Sequence, residues 1–131
     1  MEHALPDIYV TTHDFERLSQ LISHVRNDAA DELEEELARA KIVPEFALPF
    51  AVVTMNSTVT FTDLESKKES KVTLVYPEYA NVEEKKISVL APIGIALIGL
   101  RLDEVIEWPV PSGHSRKLKV ISIAQGMEQL A

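Results

Sequence analysis

The chain has 131 residues, a net charge of −8 and no cysteine, and its 46% hydrophobic and 26% charged residues are ordinary for a soluble globular protein. No apolar run approaches the ~18 residues of a membrane-spanning helix, and residues 1–10 lack the basic and apolar regions of a secretory signal. Without cysteine there is no disulfide framework and no thiolate metal site, which fits a cytoplasmic protein.

The first third of the chain, residues 1–46, is predicted to form two short helices. Thr11 or Thr12 is the candidate N-cap of the first, and Asp14 and Glu16 favour its dipole. Apolar residues then recur at spacings of three and four, in Phe15, Leu18, Ile22 and Val25 and again in Ala30, Leu33, Leu37 and Ala40. The polar pair Asn27-Asp28 between them is a turn or cap signal. This pattern predicts an antiparallel helical hairpin with arms of about 14 residues, or roughly 21 Å at 1.5 Å per residue.

Acidic residues are concentrated in this predicted hairpin. Residues 1–46 contain eleven acids and four bases, whereas residues 47–131 contain ten and nine. Six of the acids fall within nine residues, at Asp28, Asp31, Glu32, Glu34, Glu35 and Glu36. In one interpretation Asp28 caps the second helix, Asp31 and Glu32 favour its dipole, and the others form a solvated face. In the other, Asp28 and Asp31 form a carboxylate pair at the hairpin tip that binds Mg²⁺ with its waters or contacts a basic surface.

Residues 47–131 are predicted to form a β-rich domain, joined to the hairpin by the linker PEFALP at 44–49, which cannot continue a helix. Strands are predicted at 51–55, 58–62, 71–76, 87–90, 105–108 and 117–123. Between the fourth and fifth of these, Pro92 is a helix start and Gly99 a helix stop. One short helix against an antiparallel sheet makes this an α+β domain.

No motif for catalysis or for a cofactor accompanies these elements. The four histidines are far apart in sequence and none belongs to a metal-binding spacing such as HExxH. The spacing from Gly94 to Gly99 lacks the following Lys-Ser/Thr of a phosphate-binding loop, and no serine lies in a GxSxG motif. We therefore expect no catalytic residue, no metal and no cofactor, and a protein that binds a partner rather than an enzyme.

The segment from Ile87 to Leu100 resembles the signature of the Gre transcript-cleavage factors, namely a strand, a helix started by proline and a glycine stop. Asp103-Glu104-Val105 and the turn Pro111-Ser112-Gly113 keep the order of that family, and residues 53–59 and 73–77 are similar to one subgroup, the regulators of nucleoside diphosphate kinase. Together these segments cover most of residues 51–123. The resemblance implies a sheet domain of FKBP-like topology behind an N-terminal coiled coil.

The resemblance also implies a partner. In Gre factors the sheet domain binds the rim of the secondary channel of RNA polymerase, and the coiled coil enters the channel. Two carboxylates at the tip of the coiled coil then help to hold a catalytic Mg²⁺ there. Leu90, Ala91 and Pro92 match the loop that contacts the rim, and Asp28, Asp31 and Glu32 fall at the hairpin tip. The arms of the cleavage factors are roughly twice as long, so the tip would fall short by on the order of 20 Å. Metal ligation requires an oxygen atom within about 2–2.6 Å of the ion, so a hairpin this short cannot supply a ligand.

The resemblance, together with the short arms, therefore implies a monomeric regulator that docks on core RNA polymerase and competes with Gre factors without stimulating cleavage. The name of the subgroup implies a downstream effect on nucleoside diphosphate kinase levels. Because phosphates repel the acidic hairpin, no direct nucleic-acid binding is expected, and no membrane is involved. Three alternatives remain open. They are a cleavage stimulator with a fully competent hairpin, a prolyl isomerase suggested only by the FKBP-like topology, and a self-associating helical adapter.

Overall fold

The computed structural model describes residues 8–48, 51–109 and 115–125. The predicted turn Pro111-Ser112-Gly113 lies outside these residues. In chain order the helices and strands are β1 (Tyr9–Thr11), α1 (Thr12–His24), α2 (Asp28–Arg39), β2 (Lys41–Val43), β3 (Thr58–Asp63), β4 (Glu69–Val75), β5 (Lys86–Ser88), α3 (Pro92–Leu97), β6 (Val105–Pro109) and β7 (Ser115–Ala124). Among the described residues, no helix combines the length and the hydropathy needed to cross a bilayer.

The predicted helical hairpin is present as α1 and α2. Thr11 is the N-cap of α1, since its side-chain oxygen accepts a hydrogen bond from the Asp14 amide at 3.1 Å. Asn27 caps α2 in the same way by accepting from the Ala30 amide at 2.8 Å. The interpretation of Asp28 as the cap is therefore wrong: Asp28 is the first helical residue, and Asn27 before it takes the cap position.

A two-stranded parallel sheet closes the base of the hairpin, and it was not predicted. Strand β1 precedes α1 and β2 follows α2, with Val10 opposite Ile42. The Lys41 amide donates to the Ile8 carbonyl at 2.9 Å. Each strand has only three residues, which is too short for an alternating pattern to be recognised in the sequence.

The main sheet has five strands in the order β5-β4-β3-β7-β6. Strand β3 pairs antiparallel with β4 and β7, and β6 pairs antiparallel with β7. The short edge strand β5 runs parallel to β4, so the sheet is mixed, while the predicted α+β class with one short helix is confirmed.

The strand predicted at 51–55 is reduced to a single bridge between Val52 and Arg101. The neighbouring hydrogen bonds, from the Val53 amide to Leu100 and from the Gly99 amide to Val53, tie this segment to the end of α3 instead of to the sheet. The burial does not alternate as in a strand with one exposed face, because the neighbours Val52 and Val53 are both fully buried.

One hydrophobic core joins the hairpin to the sheet. The hairpin contributes buried leucines from both helices, and the sheet side contributes residues from its central strands and from α3. The main members are Leu18, Leu33, Leu37, Val53, Val59, Leu74, Leu97, Ile98 and Val120. Because helices of this length are marginal alone, this packing stabilises the hairpin and determines how it lies on the sheet.

Candidate functional site

The loop before α3 is held by hydrogen bonds at each of its residues. The side-chain oxygen of Ser88 accepts from the Leu90 amide at 2.9 Å, and the Ser88 carbonyl accepts from the Ala91 amide at 2.9 Å. The Ala91 carbonyl in turn accepts from the Ile95 amide in the first turn of α3. Leu90 and Ala91 are half-buried, whereas Pro92, at the first helical position, is exposed. The loop therefore presents the proline ring in one fixed orientation.

Gly94 allows this loop to be so compact. A Cβ atom at Gly94 would overlap the carbonyl oxygen of Ser88 and lie 3.0 Å from the Cα of Val89. Both of these are backbone atoms at the end of β5, so they cannot move aside as a flexible side chain would. The close approach of α3 to this strand end thus requires glycine.

The predicted tip residues are exposed, but they do not all face the same way. Asp28 and Asp31 lie in the first turn of α2, where carboxylates stabilise the helix dipole. Asp31 lines a small cleft towards α1 together with Arg26. Glu32 lines a different groove, on the side of α2 that faces α3. Among the described residues, no three or more acidic or histidine side chains are grouped so that they could hold a metal ion.

The groove between α2, α3 and β6, here called the α2–β6 groove, has a volume of about 490 Å³. It was not predicted, although Glu32, Glu35 and Glu36 have the spacing of a single helical face. Residues from the hairpin, from α3 with the turn after it, and from β6 line it, and they are Glu32, Glu35, Glu36, Arg39, Pro92, Ile95, Ala96, Leu100, Val105, Ile106 and Glu107. The structure therefore brings Glu32 and Pro92, from the two predicted sites, to one surface.

A buried polar contact sets the position of the hairpin on the sheet domain. The Asp14 carboxylate accepts a hydrogen bond from the Met55 amide at 3.0 Å, and both residues are buried. Beside it, the Arg17 guanidinium lies over the Tyr76 ring, 4.5 Å from its centroid. The sequence predicted only a dipole role for Asp14, because a contact between residues 41 positions apart leaves no local pattern.

Known families match both parts of the chain. Residues 48–125 match the family described as transcription elongation factor, GreA/GreB, C-term, and residues 6–43 match the family described as Rnk N-terminus. The chain belongs to the GreA/GreB family. The resemblance inferred from residues 51–123 is thereby confirmed.

Relatives of the GreA/GreB family extend over most of the chain. The regulator of nucleoside diphosphate kinase from Escherichia coli K12 is 36% identical over 121 residues, which is 90% of this chain and 89% of that protein. A GreA/GreB elongation factor from Nitrosomonas europaea has a solved structure that matches this chain with a TM-score of 0.79 and 42% sequence identity. The match covers 92% of this chain and 99% of that chain. GreA from Sphingopyxis alaskensis is 40% identical over 82 residues, which make up 63% of this chain and 51% of that protein. All three are named as regulators or elongation factors rather than as enzymes.

Proposed function

We propose that this protein is a non-enzymatic regulator of transcription that docks on core RNA polymerase at the rim of the secondary channel and competes there with longer GreA/GreB factors. Residues 47–131 act as the anchor, with Leu90, Ala91 and Pro92 as the contact loop, and residues 1–46 act as a short arm. The observation that carries the proposal is the length of α1 and α2, 13 and 12 residues.

The short arm limits what the acidic tip can reach. Helices of 13 and 12 residues measure about 18–20 Å at 1.5 Å per residue. Glu32 already lines the α2–β6 groove beside α3, and only one turn of α2, Asp28–Asp31, precedes it. A carboxylate must come within about 2–2.6 Å of a metal ion to bind it, so a deficit of several helical turns cannot be compensated by extra acids.

The length of a longer relative supports the same conclusion. Because 82 aligned residues make up 51% of the Sphingopyxis GreA, that protein has about 160 residues, some 30 more than this chain. Divided between two arms, 30 residues would lengthen each helix by about 15 residues, or roughly 22 Å. This agrees with the deficit expected from the resemblance.

The rigid loop is suited to be the anchor. A contact residue that is already ordered loses little conformational entropy when it binds, so its contacts contribute more of their energy to affinity. Pro92 is exposed on such a loop, and the hydrogen bonds of Ser88 keep the loop in place. Regulation of nucleoside diphosphate kinase, which the name of the Escherichia coli relative states for that protein, would follow here as a consequence of altered transcription in the cytoplasm.

Binding to purified core polymerase tests the docking. We expect Pro92→Ala and Leu90→Ser each to weaken binding by about tenfold, because hot-spot contacts typically exceed 1 kcal/mol. Val82→Ala is the matched control, since Val82 is 92% exposed on a different loop. A full-length GreA factor should displace the unmodified protein in the same assay. Undiminished binding of both loop variants in folded protein would show that the contact loop is wrongly assigned.

A second candidate function is stimulation of transcript cleavage by the protein itself. It is favoured by one observation, the exposure of Asp28 and Asp31 together in the first turn of α2. It requires this pair to reach the metal of the polymerase, and replacing both by Asn would then abolish cleavage.

A further inference from the structure

The α2–β6 groove has three features that bear on what it could bind. One wall is acidic, the floor between the walls is apolar, with Ile95 and Leu100 among its residues, and the opposite wall is the edge strand β6. The volume of about 490 Å³ lies in the range of ligand clefts, roughly 300–1,000 Å³. Since Pro92 also lines it, the groove is continuous with the proposed contact loop.

The outer edge of β6 offers main-chain groups to a ligand. The Val120 amide donates to the Glu104 carbonyl at 2.9 Å, which makes residues 104 and 120 a hydrogen-bonded pair. Hydrogen-bonded and non-bonded pairs alternate in an antiparallel ladder, so the pair of Ile106 with Leu118 is the next bonded one. Val105 and Glu107 therefore point their amide and carbonyl groups away from β7. Within residues 8–48, 51–109 and 115–125, no strand pairs with this edge.

Negative charge is in excess along the groove: four carboxylates, at Glu32, Glu35, Glu36 and Glu107, line it with one cation, Arg39, while Lys117 lies opposite Glu107 on β7. Glu36 is paired with Arg39 at 2.8 Å. No cation of the described part of the chain forms an ion pair with Glu32, Glu35 or Glu107. Carboxylates on both sides of an apolar floor produce a negative potential along the groove, which attracts a basic segment and repels an acidic one.

We propose that the α2–β6 groove binds an extended basic segment of RNA polymerase, which adds as a strand to the outer edge of β6 and directs lysine or arginine side chains towards Glu32 and Glu35. The proposal rests on the proposed docking and extends it from one loop to a second contact. Main-chain hydrogen bonds along β6 would supply affinity, and the acidic and apolar walls would select the sequence that binds.

Reversing the charge of the acidic wall tests whether binding requires that charge. The affinity of the full-length chain for purified core polymerase is measured. We expect Glu32→Lys with Glu35→Lys to weaken binding at about 0.1 M salt by roughly tenfold or more, because like charges across an interface repel. The matched control is Glu16→Lys with Glu34→Lys, which changes the charge of the hairpin equally at exposed positions outside the groove. This control should lose less than about threefold. Thermal melting by circular dichroism checks that both variants fold.

Proline at position 107 tests strand addition. Glu107→Pro removes an amide that points outwards, so the ladder with β7 keeps its hydrogen bonds, and proline is tolerated on a strand edge. Glu107→Ala removes the same carboxylate but keeps the amide. We expect proline to weaken binding by roughly two- to tenfold more than alanine, the range that corresponds to one hydrogen bond. Equal effects of the two variants would overturn strand addition, because they would show that the amide of residue 107 takes no part in binding.

The variants separate failure of the groove from failure of docking. If the two charge reversals weaken binding equally, the attraction is a diffuse effect of the acidic hairpin and the groove proposal is overturned. If neither reversal weakens binding while Leu90→Ser, outside the groove lining, does, the groove is overturned and the docking stands. If no groove variant and no loop variant weakens binding, the docking itself is wrong.

Discussion

The tip of the hairpin and the loop before α3 are both exposed ends of the molecule, but they are held in different ways. The tip carries Asp28 and Asp31 on the first turn of a short helix, with their carboxylates in solvent. The loop from Ser88 to Pro92 has hydrogen bonds at successive residues and a glycine behind it that permits no larger side chain. The tip contributes a field that acts on any positive surface, whereas the loop contributes a fixed shape that a partner can recognise.

Under the proposed function, this difference would explain how the protein docks as its family does without stimulating cleavage. Charge acts over about 10 Å at 0.1 M salt, so an acidic tip can influence a channel that it does not fill. Ligation of a metal needs contact distances, which depend on the length of the arm. The proposed function therefore assigns the first property, and not the second, to the short hairpin.

The largest effect is expected in the core that the helical hairpin and the sheet share. Leu33 of α2 is fully buried, and Leu33→Ala should lower the free energy of unfolding by about 2–5 kcal/mol. Leu74→Ala in β4, equally buried, should do the same. Unfolding in urea can be monitored with two probes, the circular dichroism of the helices and the fluorescence of the single tryptophan. Because the core is continuous, the two probes should give coincident transitions in each variant. Two separate transitions would show that the hairpin and the sheet are independent units.

A smaller effect is expected at the contact that orients the hairpin. Asp14→Ala leaves the buried Met55 amide without its acceptor, and it should cost about 1–3 kcal/mol of stability. Glu16→Ala, on an exposed position of the same helix, is the control and should change stability by less than about 0.5 kcal/mol. Chemical denaturation measures both. Equal values would mean that Asp14 does not fix the hairpin.

The loop itself should respond to loss of one hydrogen bond. Ser88→Ala removes the acceptor for the Leu90 amide and should cost about 0.5–1.5 kcal/mol. Binding to polymerase should weaken with it, because Leu90 and Pro92 are no longer held in one orientation. Ser122→Ala on β7, an exposed position, serves as the control. Unchanged affinity of Ser88→Ala would show that the rigidity of the loop has no role in docking.

The smallest effect is expected in the turn between β3 and β4, which contains no residue of the hairpin tip or of the loop before α3. Hydrogen bonds from the Ser66 and Glu65 amides, together with the Arg116 guanidinium 2.8 Å away, lower the pKa of Asp63 below its usual 3.8, although burial opposes this. A carboxyl group with a lowered pKa stabilises the fold fully above the unfolded value and loses this contribution as the pH falls through the folded value.

The stability difference between the unmodified protein and Asp63→Asn should thus be constant above about pH 5 and shrink below about pH 4. Denaturation curves at several pH values measure it, with Glu65→Gln as the exposed control. A difference that grows on acidification would have the wrong sign for this account.

Local patterns in the sequence predicted the local structure well. The three-four spacing from Phe15 to Ala40 gave the hairpin, and Pro92 with Gly99 gave α3, whose end has the positive φ of 82° that favours glycine. The direction of β5 was missed, because alternation of side chains is the same in parallel and antiparallel strands.

The candidate site was predictable only in part. The expectation for the loop at Leu90–Pro92 followed from a family resemblance and that for the tip acids from the run of acidic residues at 28–36, whereas the α2–β6 groove depends on how α2 packs against α3 and β6. Long-range contacts such as that between Asp14 and Met55 decide this packing, and no short stretch of sequence contains them. For the same reason the sequence placed Glu32 with Asp31, although the two line different clefts.

Cleavage of the transcript in a backtracked polymerase complex tests the central claim most directly. The protein alone should give no cleavage above the unstimulated rate, and an excess of it should reduce the cleavage stimulated by a full-length GreA factor. Cleavage by the protein alone that disappears when Asp28 and Asp31 are replaced by Asn would contradict the account, because it would mean that the short arm does reach the metal.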